Sequence, residues 1–314
     1  MINKTTTFII GAGASIPYGF PSGERLSTNI LGHINLILNY IKGSRGGETV
    51  LPELIDDRNY NKDFIIEFSE SFIHSGHKSI DAFLEHRPEF VDFGKILIAY
   101  DILLQEQRHN LFSPTIAENW YQYLWQQMSI GIRKEDFPKN NLRIVTFNYD
   151  RTFEHFFHTV LQKNYKLDLP QAYSLMMSSI GIAHVHGLLG PLYDEKGRSF
   201  MSYGVKNLTK HYLSTSAKNI HIISEDLSSP EYSLAEKFMN ESDVIYITGF
   251  GYHPTNVRRL GLKKLLEVGK QVTMNTYGKT VSELMRVFGD QTDKVLANNK
   301  EKTNLQFLRE IELL

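Results

Sequence analysis

Residues 8–15 read Phe8-Ile9-Ile10-Gly11-Ala12-Gly13-Ala14-Ser15, an apolar run that stops on two glycines one residue apart. A short apolar run bounded by turn residues is the pattern of a buried strand. Glycine allows a tight turn and lets a phosphate approach the backbone, whose amide N–H groups are the donors. The stretch predicts a strand of an α/β sheet whose carboxyl end turns around a nucleotide pyrophosphate. It departs from the common dinucleotide fingerprint. Ile16 stands where a third glycine would fall, and no acidic residue closes a second strand about 20 residues on. Because Gly-Ala-Gly also serves as a plain tight turn, the rest of the chain must decide between the two readings.

Outward from this stretch, buried strands are expected at 6–10, 142–147, 220–224, 244–248 and 271–275, each a short apolar or β-branched run. Helical patterns lie between them, which favours a parallel sheet with crossovers. Residues 24–140 interrupt the alternation. There Phe64, Ile65, Phe68, Phe72 and Ile73 recur at helical spacing, as do Ile96, Leu97, Tyr100, Leu103 and Leu104, and then Trp120, Tyr123, Leu124 and Gln127. The expected organisation is an α/β domain of residues 1–23 and 141–314 with a helical insertion subdomain of 24–140. Gly43-Ser44-Arg45-Gly46-Gly47 reads as a flexible loop within the insertion, and 304–314 as a helix docked on the core.

Composition narrows the classes. The chain has 314 residues, room for about two domains of roughly 150 residues. Its formal net charge of −1 argues against a general polyanion binder. Arg258, Arg259, Lys263 and Lys264 read as a solvated face rather than a nucleic-acid contact. With no cysteine, disulfides and cysteine-based zinc sites are excluded. No secretory signal and no run of about 18 apolar residues is visible, so a cytoplasmic protein is expected.

Four motifs follow predicted strands: the loop at Gly11–Ser15, then Phe147-Asn148-Tyr149-Asp150, then Gly249-Phe250-Gly251-Tyr252-His253-Pro254, and Asn275 at the end of the last strand. In a parallel sheet the carboxyl ends share one edge, where ligands bind. A fifth piece, His184-Val185-His186-Gly187, precedes a loop before the strand expected at 220–224. Each has an ordinary reading too. Asn148 or Asp150 suits the cap of a helix starting near Arg151, and His186 suits a core position. His184 and His186 lack a third ligand at metal spacing, so no metal is expected.

Taken in order, these residues resemble the sirtuin (Sir2) superfamily. Gly11-Ala12-Gly13-Ala14-Ser15 with Gly19-Phe20-Pro21 is similar to its first NAD-binding motif. Thr146-Phe147-Asn148-Tyr149-Asp150 is similar to its Thr-Gln-Asn-Ile-Asp segment, and His186-Gly187 to its catalytic His-Gly. Gly249-Phe250-Gly251 stands where the family has Gly-Thr-Ser, and Asn275 where an Asn contacts the adenosine ribose. The chain lacks the family's four-cysteine zinc ribbon, and Pro21-Ser22-Gly23-Glu24 replaces Pro-Asp-Phe-Arg. In this it resembles the Sir2-like domains of bacterial antiphage defence, which cleave NAD⁺ to nicotinamide and ADP-ribose.

The resemblance implies a Rossmann-like sheet with helices on both faces. It also implies NAD⁺ as substrate without zinc, abortive infection as context, and either self-assembly or a separate sensor such as a HerA-type ATPase or an Argonaute. Deacylation or ADP-ribosyl transfer, and a silent NAD or ADP-ribose binding module that gates a partner, are the alternatives. The expected catalytic pair is Asn148 and His186. Gly11, Ala12, Gly13, Ser15, Pro21, Asp150, Gly249, Phe250, Gly251 and Asn275 are expected to hold the dinucleotide. Asn148 has no useful basicity, so it would orient a water or the ribose hydroxyls. His186 would be the base, and Asp150 would orient Asn148 or the carboxamide, or lend negative charge near the cation.

Overall fold

The computed structural model describes residues 1–44, 49–222, 229–297, 299–311 and 313. Six parallel strands form one sheet: β1 (Thr6–Ile10), β2 (Leu142–Thr146), β3 (Ile180–His184), β4 (Val244–Thr248), β5 (Gln271–Asn275) and β6 (Asn299–Lys300). Their spatial order is β3-β2-β1-β4-β5-β6, with every pairing parallel. The order reverses between β1 and β4, the position that opens a ligand crevice at the carboxyl edge of such sheets.

Strand alternation divides the core. Phe8, Ile10, Ile144 and Tyr246 face one layer of helices, while Ile9, Val145, Ile245, Ile247 and Met274 face the other. Successive side chains of a strand point to opposite faces, so near-continuous apolar runs belong to strands covered on both sides. The first layer includes the helices Gly23–Ile41, Lys62–His74, Val91–Gln105 and Trp120–Ser129. Phe68, Leu97 and Trp120 join Phe8 and Ile10 in one hydrophobic cluster, so the helices between β1 and β2 share the sheet's core. The opposite layer carries the helices Pro230–Glu241 and Val281–Phe288.

The structure corrects the strand list in three places. The third strand is β3, not 220–224. Ile220 makes only an isolated antiparallel bridge to Gly187, and Ile223 and Ser224 lie outside the described residues. β2 ends at Thr146, one residue before the expected boundary. β6 has no counterpart among the expected strands. Of the loop expected at 43–47, residues 45–47 lie outside the described residues, as does Leu314 of the last helix, which runs Asn304–Glu310. That helix buries Leu305, Phe307 and Leu308 against the core. In the helix Trp120–Ser129 the inward face is Trp120, Tyr121, Leu124, Trp125 and Met128, whereas Tyr123 and Gln127 are only half-buried. Ile73 and Leu104 of the other two helical patterns are exposed. Arg258 and Lys263 belong to two successive short helices, Pro254–Arg259 and Leu262–Glu267. Among the described residues no helix is long and apolar enough to cross a membrane.

Candidate functional site

Register decides what meets at the sheet edge. Ile10 stands opposite Thr146 and Thr248, and Thr146 opposite His184. The segments starting at Gly11, Phe147, Val185 and Gly249 therefore leave the sheet from one row. Those starting at Gly11, Phe147 and Gly249 border a cavity of about 810 Å³. Its lining includes Gly11, Ala12, Gly13, Phe147, Gly249, Phe250, Gly251 and Asn275 of the expected residues or their segments. The helical stretch supplies another wall through Glu24, Lys78, Asp81 and Glu118.

Glycine serves packing here. A Cβ on Gly13 would lie 2.8 Å from Gly249 Cα, and one on Gly249, at φ +61°, would lie 2.1 Å from the Ala14 nitrogen. The turns after β1 and β4 thus interlock backbone against backbone, a distance only glycine permits. The Gly13 N–H donates to the Gly249 carbonyl at 2.9 Å, and the Gly11, Ala14 and Ser15 amides donate to Thr248, Gly11 and Ala12 carbonyls. The expectation that the amides of 11–15 hold a pyrophosphate is corrected accordingly. Among the described residues only the Ala12 amide of this loop has no backbone acceptor.

Ser15 is buried and faces inward. Its hydroxyl donates to Asp150 Oδ2 at 2.8 Å and accepts from Asn148 Nδ2 at 3.0 Å. Asp150 Oδ1 also accepts the Thr152 N–H and hydroxyl, so the carboxylate holds the first residue of the helix Thr152–Tyr165, whose N-cap is Arg151, as well as Ser15. Burial raises the Asp150 pKa, and the donors from Thr152 and Ser15 oppose that rise. The chain of bonds fixes the Asn148 amide. A carboxylate can only accept, so Ser15 donates to Asp150 and must take its other bond from an N–H. Asn148 therefore turns its NH₂ toward Ser15 and leaves Oδ1 at the other end. That oxygen is buried and has no hydrogen-bond partner among the described residues. Ser15→Ala would strip a bond from both neighbours. It is expected to lower the unfolding free energy by about 1–3 kcal/mol in urea titrations.

His186 shows the same condition. Its Nδ1 meets the His221 carbonyl at 3.3 Å, so Nδ1 carries the proton in the neutral ring and Nε2 carries the lone pair. Nε2 is buried and also lacks a partner among the described residues. Burial lowers the His186 pKa, with Asp81 and the hydrogen bond to the His221 carbonyl opposing and Arg259 assisting. The ring lies 5.1 Å from that of Phe147 and 6.4 Å from that of Tyr149, the chain neighbours of Asn148. His184 has a different task. It binds the Asn148 carbonyl at 3.1 Å through Nδ1 and the Glu154 carboxylate through Nε2. Burial disfavours its charged form, yet Glu154 outweighs this and its pKa is raised. Among the described residues no group of His, Asp or Glu is arranged to hold a metal ion.

Other expected residues fall elsewhere. Pro21 lines a separate cavity of about 550 Å³ with Arg25, His33 and Asp101. Asn275 borders the main cavity, but its side chain is spent. Nδ2 donates to Thr248 Oγ1 and the Lys302 carbonyl, and Oδ1 accepts from the Tyr277 and Lys302 amides. It ties β5 to the segment after β6 and keeps no group for a ribose. Neither Asn148 nor His186 is among the lining residues; Phe147 is, with its ring against both His186 and Phe250. Sequence reasoning missed Asp81, Glu118 and Asn256, all of which line the cavity, and assigned no role to His253, which does too. Glu118 Oε2, His253 Nδ1 and Asn256 Oδ1 are buried without partners among the described residues. Asp81 follows a Ser79 helix cap and carries no local signal that separates it from an ordinary first-turn acid. No family model and no curated protein matches this chain.

Proposed function

We propose that this chain is an NAD⁺ hydrolase built on a Rossmann-like sheet, with the helical stretch 24–140 as an inserted cap over the cleft. One observation carries the reading. Among the described residues, Asn148 Oδ1 and His186 Nε2 are both buried acceptors without partners, at the edge of the sheet where the β1 and β4 turns border a large cavity. Leaving such a group unpaired costs about 1–3 kcal/mol, so a pair of them suits a ligand that brings O–H donors. Ribose hydroxyls and an attacking water are such donors.

The chemistry asks little of the protein beyond placement. The nicotinamide nitrogen is already cationic. When the glycosidic bond breaks, its electron pair returns to the ring and nicotinamide leaves neutral. The ribosyl cation takes the oxygen of water, and one water proton passes to His186 Nε2, giving ADP-ribose and nicotinamide. Asn148 Oδ1 would hold the water or a ribose hydroxyl in line. Phe147 must swing from His186 to admit the ribose. The role of an effector of antiphage abortive infection, self-assembled or joined to a sensor, rests on the sirtuin resemblance alone.

A second reading has its own observation. Because Asn148 and His186 do not line the cavity while Phe147 does, the chain could bind the dinucleotide and release it intact. Incubation with NAD⁺, followed by chromatography of nicotinamide and ADP-ribose, separates the two. Equal release of both products supports hydrolysis. Saturable binding of intact NAD⁺ supports the binding module, and no binding overturns both.

A further inference from the structure

The main cavity is polarised. Its wall on the helical stretch carries Glu24, Asp81 and Glu118 against Lys78, while beyond β5 and β6 it carries Lys279 and Lys302 and no carboxylate of the lining. NAD⁺ is polarised as well, with a cationic pyridinium at one end and two phosphates in the middle. The sequence offered Asp150 as a source of negative charge for the cationic end. In the structure its oxygens already take three donors, from Ser15 and Thr152. Asp150 also does not line the cavity, whereas Asp81 does.

We propose that Asp81, on the helical stretch, supplies the negative charge that faces the pyridinium of the bound dinucleotide. This rests on the hydrolase reading above for the identity of the ligand. Asp81 is the lining carboxylate tied to the reactive segment. The Tyr149 hydroxyl donates to its Oδ1 at 2.5 Å, and Tyr149 directly follows Asn148. The Tyr149 ring stands edge-on to His186 at 89°. Asp81 also acts electrostatically on His186, against the effect of burial. A carboxylate here stabilises the pyridinium in the ground state and the ribosyl cation as the bond breaks, because opposite charges attract strongly in a partly desolvated site. It touches neither Asn148 nor His186 among the hydrogen bonds of the described residues, so its effect is one of charge rather than of holding them.

NAD⁺ and NADH test this, since they differ at that end by one charge. Equilibrium binding is measured by calorimetry on a His186→Ala background, which keeps NAD⁺ intact. The parent is expected to bind NAD⁺ about tenfold more tightly than NADH. Asp81→Asn keeps an acceptor for Tyr149 and should bring the ratio to about one, with NADH affinity unchanged. Asp81→Glu should restore the preference for NAD⁺. A parent with no preference overturns the proposal, as does Asp81→Asn with an unchanged ratio or Asp81→Glu that behaves like Asp81→Asn. In those cases nucleotide binding itself still stands. If neither nucleotide binds the parent, the hydrolase reading falls first and takes this proposal with it.

Discussion

His186→Ala is expected to lower nicotinamide release from NAD⁺ by about 10²–10⁴-fold, the usual loss when a positioned acid–base group is removed. Dinucleotide affinity should change little, because Nε2 would meet the substrate at one hydroxyl or through one water, a contact of about 0.5–1.5 kcal/mol. The fold should survive. The only hydrogen bond the ring makes in the described structure is the long one from Nδ1 to the His221 carbonyl. The pH profile adds a check. Burial holds the His186 pKa below its ordinary value of about 6.5, with Asp81 and the hydrogen bond to the His221 carbonyl opposing and Arg259 assisting. A base must be unprotonated to accept a proton. Activity should therefore persist as the pH falls through 6.5 and decline only at lower pH. Wild-type rates from His186→Ala, or an acid limb above pH 6.5, would remove His186 from the mechanism.

Arg151→Ala should destabilise the protein by about 3–5 kcal/mol, the range for breaking a buried ion pair on one side. Arg151 and Glu106 are both fully buried and joined by two bonds, Nε to Oε1 at 2.8 Å and Nη2 to Oε2 at 2.6 Å. The guanidinium also donates to the Gly190 and Met201 carbonyls. One side chain thus ties the segment after β2 to the helical layer and to the loop after β3. Burial lowers the guanidinium pKa, but Glu106 outweighs this and raises it. With Arg151 gone, Glu106 would keep its burial penalty and lose the partner that offsets it. The double variant Arg151→Met with Glu106→Leu should lose less stability than Arg151→Ala, since no charge is left stranded. Urea denaturation of the variants measures this, and equal stability of Arg151→Ala and wild type would contradict it.

Much of the architecture was legible because parallel strands are apolar on both faces. β1, β4 and β5 could be bounded to the residue from runs such as Thr6–Ile10 and Val244–Thr248. β3 was hidden for a packing reason. Gly181 weakens its strand pattern, yet a Cβ there would sit 2.6 Å from Phe238 Cζ, on the helix that covers the sheet. Ile220-His221-Ile222 has the better strand composition but reaches the fold only as an edge bridge to Gly187. Composition records propensity, and close helix packing overrode it.

At the site, sequence order showed which segments converge but not how their polar groups are spent. Asn148, Ser15 and Asp150 do meet in one chain of hydrogen bonds. Gly11 and Gly13 look like phosphate-loop glycines, whereas their amides donate to the Thr248 and Gly249 carbonyls and their missing side chains allow the contact with Gly249. Asn275 looks like a ribose ligand, and its amide is consumed within the fold. Whether a hydrogen-bonding group is free depends on partners far away in the chain, and no local pattern reports that. The same holds for Asp81, which reaches the cavity from the stretch between β1 and β2.

The central claim is that Asn148 Oδ1 and His186 Nε2 meet the anomeric end of a bound ADP-ribosyl group. A crystal structure with ADP-ribose tests it most directly. The account predicts the ribose in the cavity beside Gly11, Phe147 displaced, and ribose hydroxyls within hydrogen-bond distance of both atoms. ADP-ribose bound in the cavity with Phe147 still against His186, and with neither atom engaged, would contradict it.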